Sequence, residues 1–188
     1  MQHLQAIKAL LFAAAVCVGA LCAAPALAQD APRPGNFEIK GGVLWHDVPG
    51  LWSGFSLEKG VDVNAEVLVG PGWYILGGYL RPALGGTFNF NGYTSRGYID
   101  ARWEVDFANR MFLGLGLGAA IHDGKLDPVY TDHKALGSRV LFHVPVELGL
   151  RLDERQSISI YFEHMSNGNT ARYNEALDSL GLRYGVRF

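Results

Sequence analysis

The 188-residue sequence predicts an all-β fold: an eight-stranded antiparallel transmembrane β-barrel of the outer-membrane type. Three observations carry that prediction. Segments of about ten residues alternate apolar with polar side chains, as a strand does with lipid on one face and a polar lumen on the other. The connections between the segments alternate between short and long, as periplasmic turns and external loops do. The chain opens on an export-type segment and ends on Phe188, with Val186, Tyr184, Leu182 and Leu180 at every second place before it.

Lys8 is the only charge before Asp30, residues 9–23 are apolar, and Ala26-Leu27-Ala28 makes a small-x-small cleavage site. The run is short for a spanning helix and no stop-transfer charges follow it. Residues 1–28 therefore read as a cleaved signal peptide and 29–188 as a single barrel domain. Cys17 and Cys22 both lie in the leader, behind Val16 and Leu21 and not behind the small residue that lipoprotein processing favours. The exported chain then has no thiol for a disulfide or a thiolate site.

The predicted strands are about 37–47, 56–69, 74–84, 95–107, 111–121, 138–152, 156–166 and 177–188. Val61, Val63, Ala65 and Val67 alternate with Asp62, Asn64 and Glu66. Ile99, Ala101, Trp103, Val105 and Phe107 alternate with Tyr98, Asp100, Arg102, Glu104 and Asp106. Val140 through Leu152 repeats the pattern with His143, Glu147 and Arg151 on the other parity. Tight turns are expected at Gly70-Pro71-Gly72, Ala108-Asn109-Arg110 and Asp153-Glu154-Arg155, and longer external loops near 48–55, 85–94, 122–137 and 167–176. Trp73, Tyr74, Phe107, Phe112 and Phe188 then fall near the periplasmic interface, where aromatic girdles belong. A barrel of this size has room only for its own side chains, so the charged set is expected to fill the lumen and no pore is expected. A soluble sandwich or lipocalin-like barrel would share the alternation, but the loop lengths, the terminal aromatic and the leader favour the membrane form.

Sixteen basic against eighteen acidic residues, and about −3 once Lys8 leaves with the leader, argue against a nucleic-acid partner. His46, His122, His133 and His143 are scattered without the spacing of a metal site. No metal and no cofactor are expected.

The stretch His164-Met165-Ser166-Asn167-Gly168, followed by Asp178, is where chemistry is expected. Ile158, Ile160, Phe162, His164 and Ser166 share one strand face, and Asp178 has the parity of Leu180, Leu182, Tyr184 and Val186. If the apolar members meet lipid, the three polar residues converge outside the barrel at its external rim. A serine hydroxyl becomes a nucleophile when an imidazole takes its proton, and a carboxylate on the other ring nitrogen fixes the tautomer. The Asn167 and Gly168 amides, or the Asn167 side chain, are candidate oxyanion donors. The bland reading is a wet rim, where a charge costs only about 0–1 kcal/mol.

His164-Met165-Ser166-Asn167, with Leu177-Asp178-Ser179 opening the last strand, resembles the lipid A 3-O-deacylase family of outer-membrane enzymes, which carry H-x-S-N on the penultimate strand and an acid fourteen places after the histidine. Leu80-Arg81-Pro82-Ala83-Leu84-Gly85-Gly86, Tyr93-Thr94-Ser95 and Ala120-Ile121-His122-Asp123-Gly124 also look like that family. The resemblance implies Ser166 as nucleophile, His164 as general base, Asp178 as orienting acid and Asn167 in the oxyanion hole. Two positions depart from the family pattern. The acid is commonly Glu, with Glu175 in the loop as an alternative to Asp178, and Asn169 stands where a glycine two places after the asparagine is usual.

The expected function is hydrolysis of the ester-linked 3-hydroxyacyl chain at the 3-position of lipid A, with lipopolysaccharide as substrate and the outer membrane as location. A non-catalytic structural or adhesive barrel and an outer-membrane phospholipase are the alternatives. Whether the barrel stands alone or as a homodimer is left open.

Overall fold

The computed structural model describes residues 34–107 and 110–188. The predicted signal peptide, 1–28, lies outside the described residues, as do 29–33 and two residues of the predicted turn, Ala108 and Asn109. The strands are β1 (Phe37–Trp45), β2 (Val61–Val69), β3 (Trp73–Ile75), β4 (Gly78–Asn89), β5 (Arg96–Phe107), β6 (Met111–His122), β7 (Val140–Arg151), β8 (Gln156–Ser166) and β9 (Leu177–Arg187). Consecutive strands pair antiparallel except β2 with β3, β1 pairs with β9, and β2 pairs with β4. Eight long strands thus close into an antiparallel barrel in which each has a partner on both sides, while the short β3 pairs with β4 alone among the described residues.

The third predicted strand, 74–84, is misplaced. β3 descends beside the lower end of β4 as a continuation of β2, and the register slips by two residues between Leu68↔Ala83 and Trp73↔Leu80. Gly70-Pro71-Gly72 is therefore a bulge and not the turn: both glycines take positive φ, and proline has no N–H to give to a ladder. The chain reverses at Leu76-Gly77, where both residues have positive φ inside the Ile75↔Gly78 pair, the geometry of a two-residue type I′ hairpin. β4 then runs to Asn89, five residues past the prediction, because Gly85 leaves the inner-face space that the Tyr98 ring occupies. At the other end of the barrel, β1 and β2 are shorter than predicted, and 46–60 forms one long external loop.

Alternation sorts the wall into two faces. Val43, Val63, Leu84, Ile99, Leu117, Phe142, Ile160 and Leu182 are exposed on the outside. Inside, Lys40, Glu66, Arg81, Arg102, Glu147 and Arg183 are buried. Phe112, expected in the aromatic girdle, is a lumen residue instead. It has the inward parity of β6, and Lys40 and Arg151 lie over its ring. Trp73, Tyr74 and Phe188 are exposed near the periplasmic end, Phe188 stacked on Phe37.

Taking paired charges out of water costs several kcal/mol per ion unless every one is matched, so the lumen ions hold one another in place. Glu147 is a hub: Lys40 donates to it at 2.9 Å, Arg102 at 2.6 Å and Ser159 Oγ at 2.6 Å. Glu147→Leu strands two buried cations and is expected to destabilise the barrel by about 3–5 kcal/mol, measured by equilibrium urea unfolding in phospholipid vesicles. Glu147→Gln, which keeps an acceptor, should cost less.

Candidate active site

β8 and β9 pair so that His164 stands directly across from Asp178. Both have the parity of the exposed Ile160 and Leu182, so their side chains leave the outer surface of the wall and not the lumen. His164 Nδ1 donates to Asp178 Oδ1 at 2.7 Å. The remaining ring nitrogen, Nε2, makes no hydrogen bond among the described residues, and Ser166 stands two residues along the same strand. No hydrogen bond joins His164 to Ser166 among the described residues. Ser166 is partly exposed and lies across from Phe142 of β7.

Although they sit on the lipid-facing parity, His164 and Asp178 are 4% and 0% exposed. The cover is the external loop 46–60. Trp52 stacks on the imidazole with ring centroids 4.2 Å apart and planes 14° from parallel. The Ser53 amide donates to Asp178 Oδ2 at 2.7 Å, and the Val48 amide donates to the Asp178 carbonyl at 2.9 Å. Each carboxylate oxygen therefore has its own partner.

Of the two candidate acids, Asp178 touches the imidazole. Glu175 is turned to another loop, 123–139, where its Oε2 accepts the Ala135 amide at 2.6 Å. Asn167 is buried, and its side-chain nitrogen donates to the carbonyls of Leu136 (2.9 Å) and Tyr173 (2.6 Å). Its backbone amide donates to Asn174 Oδ1 at 3.0 Å. The donors of Asn167 are thus spent on holding the rim.

Gly168 and Asn169 both have positive φ, and the Thr170 amide returns to the Asn167 carbonyl at 3.2 Å, closing a type I′ turn. Asparagine tolerates the left-handed region better than most residues, which explains why it can stand at 169. Gly168, at the first central position, is an exposed residue, and its amide is engaged with no other backbone group among the described residues.

A buried lysine ties the loops over the site together. Lys134 Nζ pairs with Asp47 Oδ1 at 2.9 Å and donates to the carbonyls of Phe55 (2.6 Å) and Glu175 (3.3 Å). Asp47 Oδ2 in turn accepts the Leu57 and Glu58 amides. Sequence reasoning missed Trp52, Ser53 and Lys134, because a loop has no periodicity to say what its side chains touch. His143 and His122 take no part: the first bridges Asp100 and Glu163 in the lumen, and the second faces the Ser138 carbonyl. Among the described residues, no group of three or more His, Cys, Asp and Glu is arranged to hold a metal ion.

The sequence matches the family described as lipid A 3-O-deacylase (PagL) over residues 36–187, nearly the whole barrel. The chain belongs to the PagL family. Among solved structures, the barrel is similar to the outer-membrane enzyme PagL, with a TM-score of 0.61 and 17% identity over 80% of this chain and 99% of that one. It is also similar to the N-terminal β-barrel domain of Pseudomonas aeruginosa OprF, with a TM-score of 0.54 and 9% identity over 82% of this chain and 99% of that one. A designed transmembrane β-barrel matches with a TM-score of 0.53 and 9% identity over 84% of this chain and 100% of that one. At these identities the structural likenesses speak for the fold, and the family match speaks for the lineage. No curated protein matches the sequence. As a PagL-family barrel, the protein belongs to the bacterial outer membrane.

Two groups in loop 46–60 make the cover over the site pH-dependent. Burial works against charge on Glu58, yet hydrogen bonds from His46, Thr94 and the Lys134 amide outweigh it and hold the carboxyl at about 2. Burial likewise works against charge on His46, but hydrogen bonds to Asp62 and Glu58 raise its pKa. The depressed carboxyl stabilises the fold above its unfolded value of about 4.3, an effect lost as pH falls toward 2. The raised imidazole stabilises it below about 6.5, an effect lost as pH rises through the folded value. Protease cleavage of the external loops, normalised to a denatured control, should therefore be slowest between the unfolded values of Glu58 and His46, near about pH 5.5, and accelerate as pH rises through the folded His46 value. His46→Gln is expected to remove that alkaline acceleration.

Proposed function

We propose that this protein hydrolyses the ester that links a 3-hydroxyacyl chain to the 3-position of lipid A, with Ser166 as nucleophile, His164 as general base and Asp178 as orienting acid. The observation that carries this reading is the His164–Asp178 hydrogen bond of 2.7 Å on the outer face of the wall. A triad built there addresses a lipid moving in the plane of the membrane and not a solute in the lumen. Family membership supports the substrate class.

In this mechanism the Ser166 hydroxyl attacks the ester carbonyl while its proton passes to His164 Nε2. Asp178, bonded to Nδ1–H, keeps Nε2 free as the base and stabilises the imidazolium that forms. The Gly168 amide, held outward by the turn, donates to the oxyanion, and Asn167 fixes the turn that aims it. Collapse expels the 3-hydroxyl of the sugar, which takes the proton back from the imidazolium. Water, deprotonated by the same base, then releases the fatty acid from Ser166.

Lower on the same wall runs a groove of about 860 Å³ lined by Val43, Leu148, Ile158, Ile160, Leu182 and Tyr184. Ile160 and Leu182 stand four residues below His164 and Asp178, a descent of roughly 13 Å along the strands. A long acyl chain lying there leaves its ester at the rim.

Mass spectrometry of lipid A from cells producing the wild type or Ser166→Ala tests the reading. Loss of one 3-hydroxyacyl group in the wild type alone is the expected result. Unchanged lipid A with altered glycerophospholipids points instead to a phospholipase, and no lipid change with a folded barrel points to a non-catalytic protein. Asp178→Asn is expected to lower kcat by about a hundredfold or more, and Glu175→Gln to leave it within about threefold.

A further inference from the structure

A hydrogen bond at Nδ1 fixes one edge of an imidazole but leaves the ring free to turn about that bond. In a soluble hydrolase the surrounding core restrains the turn. On the outer wall of a barrel the neighbours are lipid chains, which offer no fixed surface. Something else must hold the plane of His164.

Loop 46–60 meets that need. The Trp52 indole lies face to face on the imidazole at 4.2 Å, so the ring cannot tilt without breaking the stack. The next residue secures the acid: the Ser53 amide takes Asp178 Oδ2 at 2.7 Å and leaves Oδ1 to His164. The loop is itself fastened on both sides of the dipeptide, by the Val48 amide on the Asp178 carbonyl before it and by Lys134 Nζ on the Phe55 carbonyl after it.

We propose that Trp52 and Ser53 are positioning residues of the active site, clamping the base and the acid so that Nε2 stays aimed at Ser166. This rests on the triad assigned above. Trp52 has a second effect when the imidazole becomes a cation, because the face of an indole attracts positive charge. Asp178 is the one charged side chain bonded to His164 among the described residues. Val144 lies across from His164 on β7, and Glu163 points into the lumen toward Arg96 and His143.

The test uses the full-length barrel refolded in detergent, with folding checked by heat-modifiable gel mobility. Trp52→Leu is expected to lower kcat by about threefold to thirtyfold with KM little changed, since the stack favours the charged state of the reaction over the bound substrate. Trp52→Phe, which keeps an aromatic face, should recover most of the loss. Unaltered kcat in folded Trp52→Leu overturns the proposal.

An independent readout needs no substrate. A protonated imidazole quenches an indole stacked on it, so the emission of Trp52, taken as wild type minus Trp52→Phe, should rise as pH rises. That dependence should vanish in His164→Asn and persist in Ser166→Ala. Emission of Trp52 that ignores His164 overturns the stack. If wild type leaves lipid A intact while Trp52 emission still follows His164, the deacylase reading fails and the clamp stands.

Discussion

Hydrocarbon offers no partner to a backbone N–H or C=O, and that single fact governs this protein. It forces the strands to close, and β2 finds β4 as β1 finds β9. Closure divides every strand into an inner and an outer set of side chains. A ring of eight strands is too narrow for water and substrate together, so the inner set becomes a packed ionic core. The candidate site, His164 with Asp178, belongs to the outer set.

A site in that position meets two opposed demands. It must open sideways to lipid, and its polar groups must be held as firmly as in a protein interior. The structure meets both by bringing loops down over the wall. Lys134 is buried among carbonyls and Asp47, and through them it joins three external loops into one cover. The cover leaves Ser166 and Gly168 partly open while enclosing His164 and Asp178. Rigidity at His164 and Asp178 is thereby combined with access at Ser166.

The parts of this arrangement that depend on parity were legible in the sequence. Alternation alone separated Val61, Val63 and Val67 from Asp62, Asn64 and Glu66, and it placed His164 and Asp178 on one face before any register was known. What failed was local. Leu76 carries a positive φ in the hairpin, and no propensity marks leucine for such a turn. Gly70-Pro71-Gly72 has turn composition but serves as a bulge. Phe112 has an aromatic's claim to the girdle, yet its parity sends it inward among cations. The loop contacts of Trp52, Ser53 and Lys134 arise from segments far apart in the chain, so no short window of sequence contains them. Asn167 was recognisable as a rim residue, but only coordinates show that its donors are already committed.

The descending β3 hairpin gives the barrel a lopsided belt. Trp73, Tyr74, Ile75 and Leu76 extend the apolar wall downward at β4, which lies diametrically across the ring from β8. His164 and Ser166 stand on the opposite wall at the opposite end, so the deepest reach of the apolar surface and the candidate site occupy opposite corners of the ring.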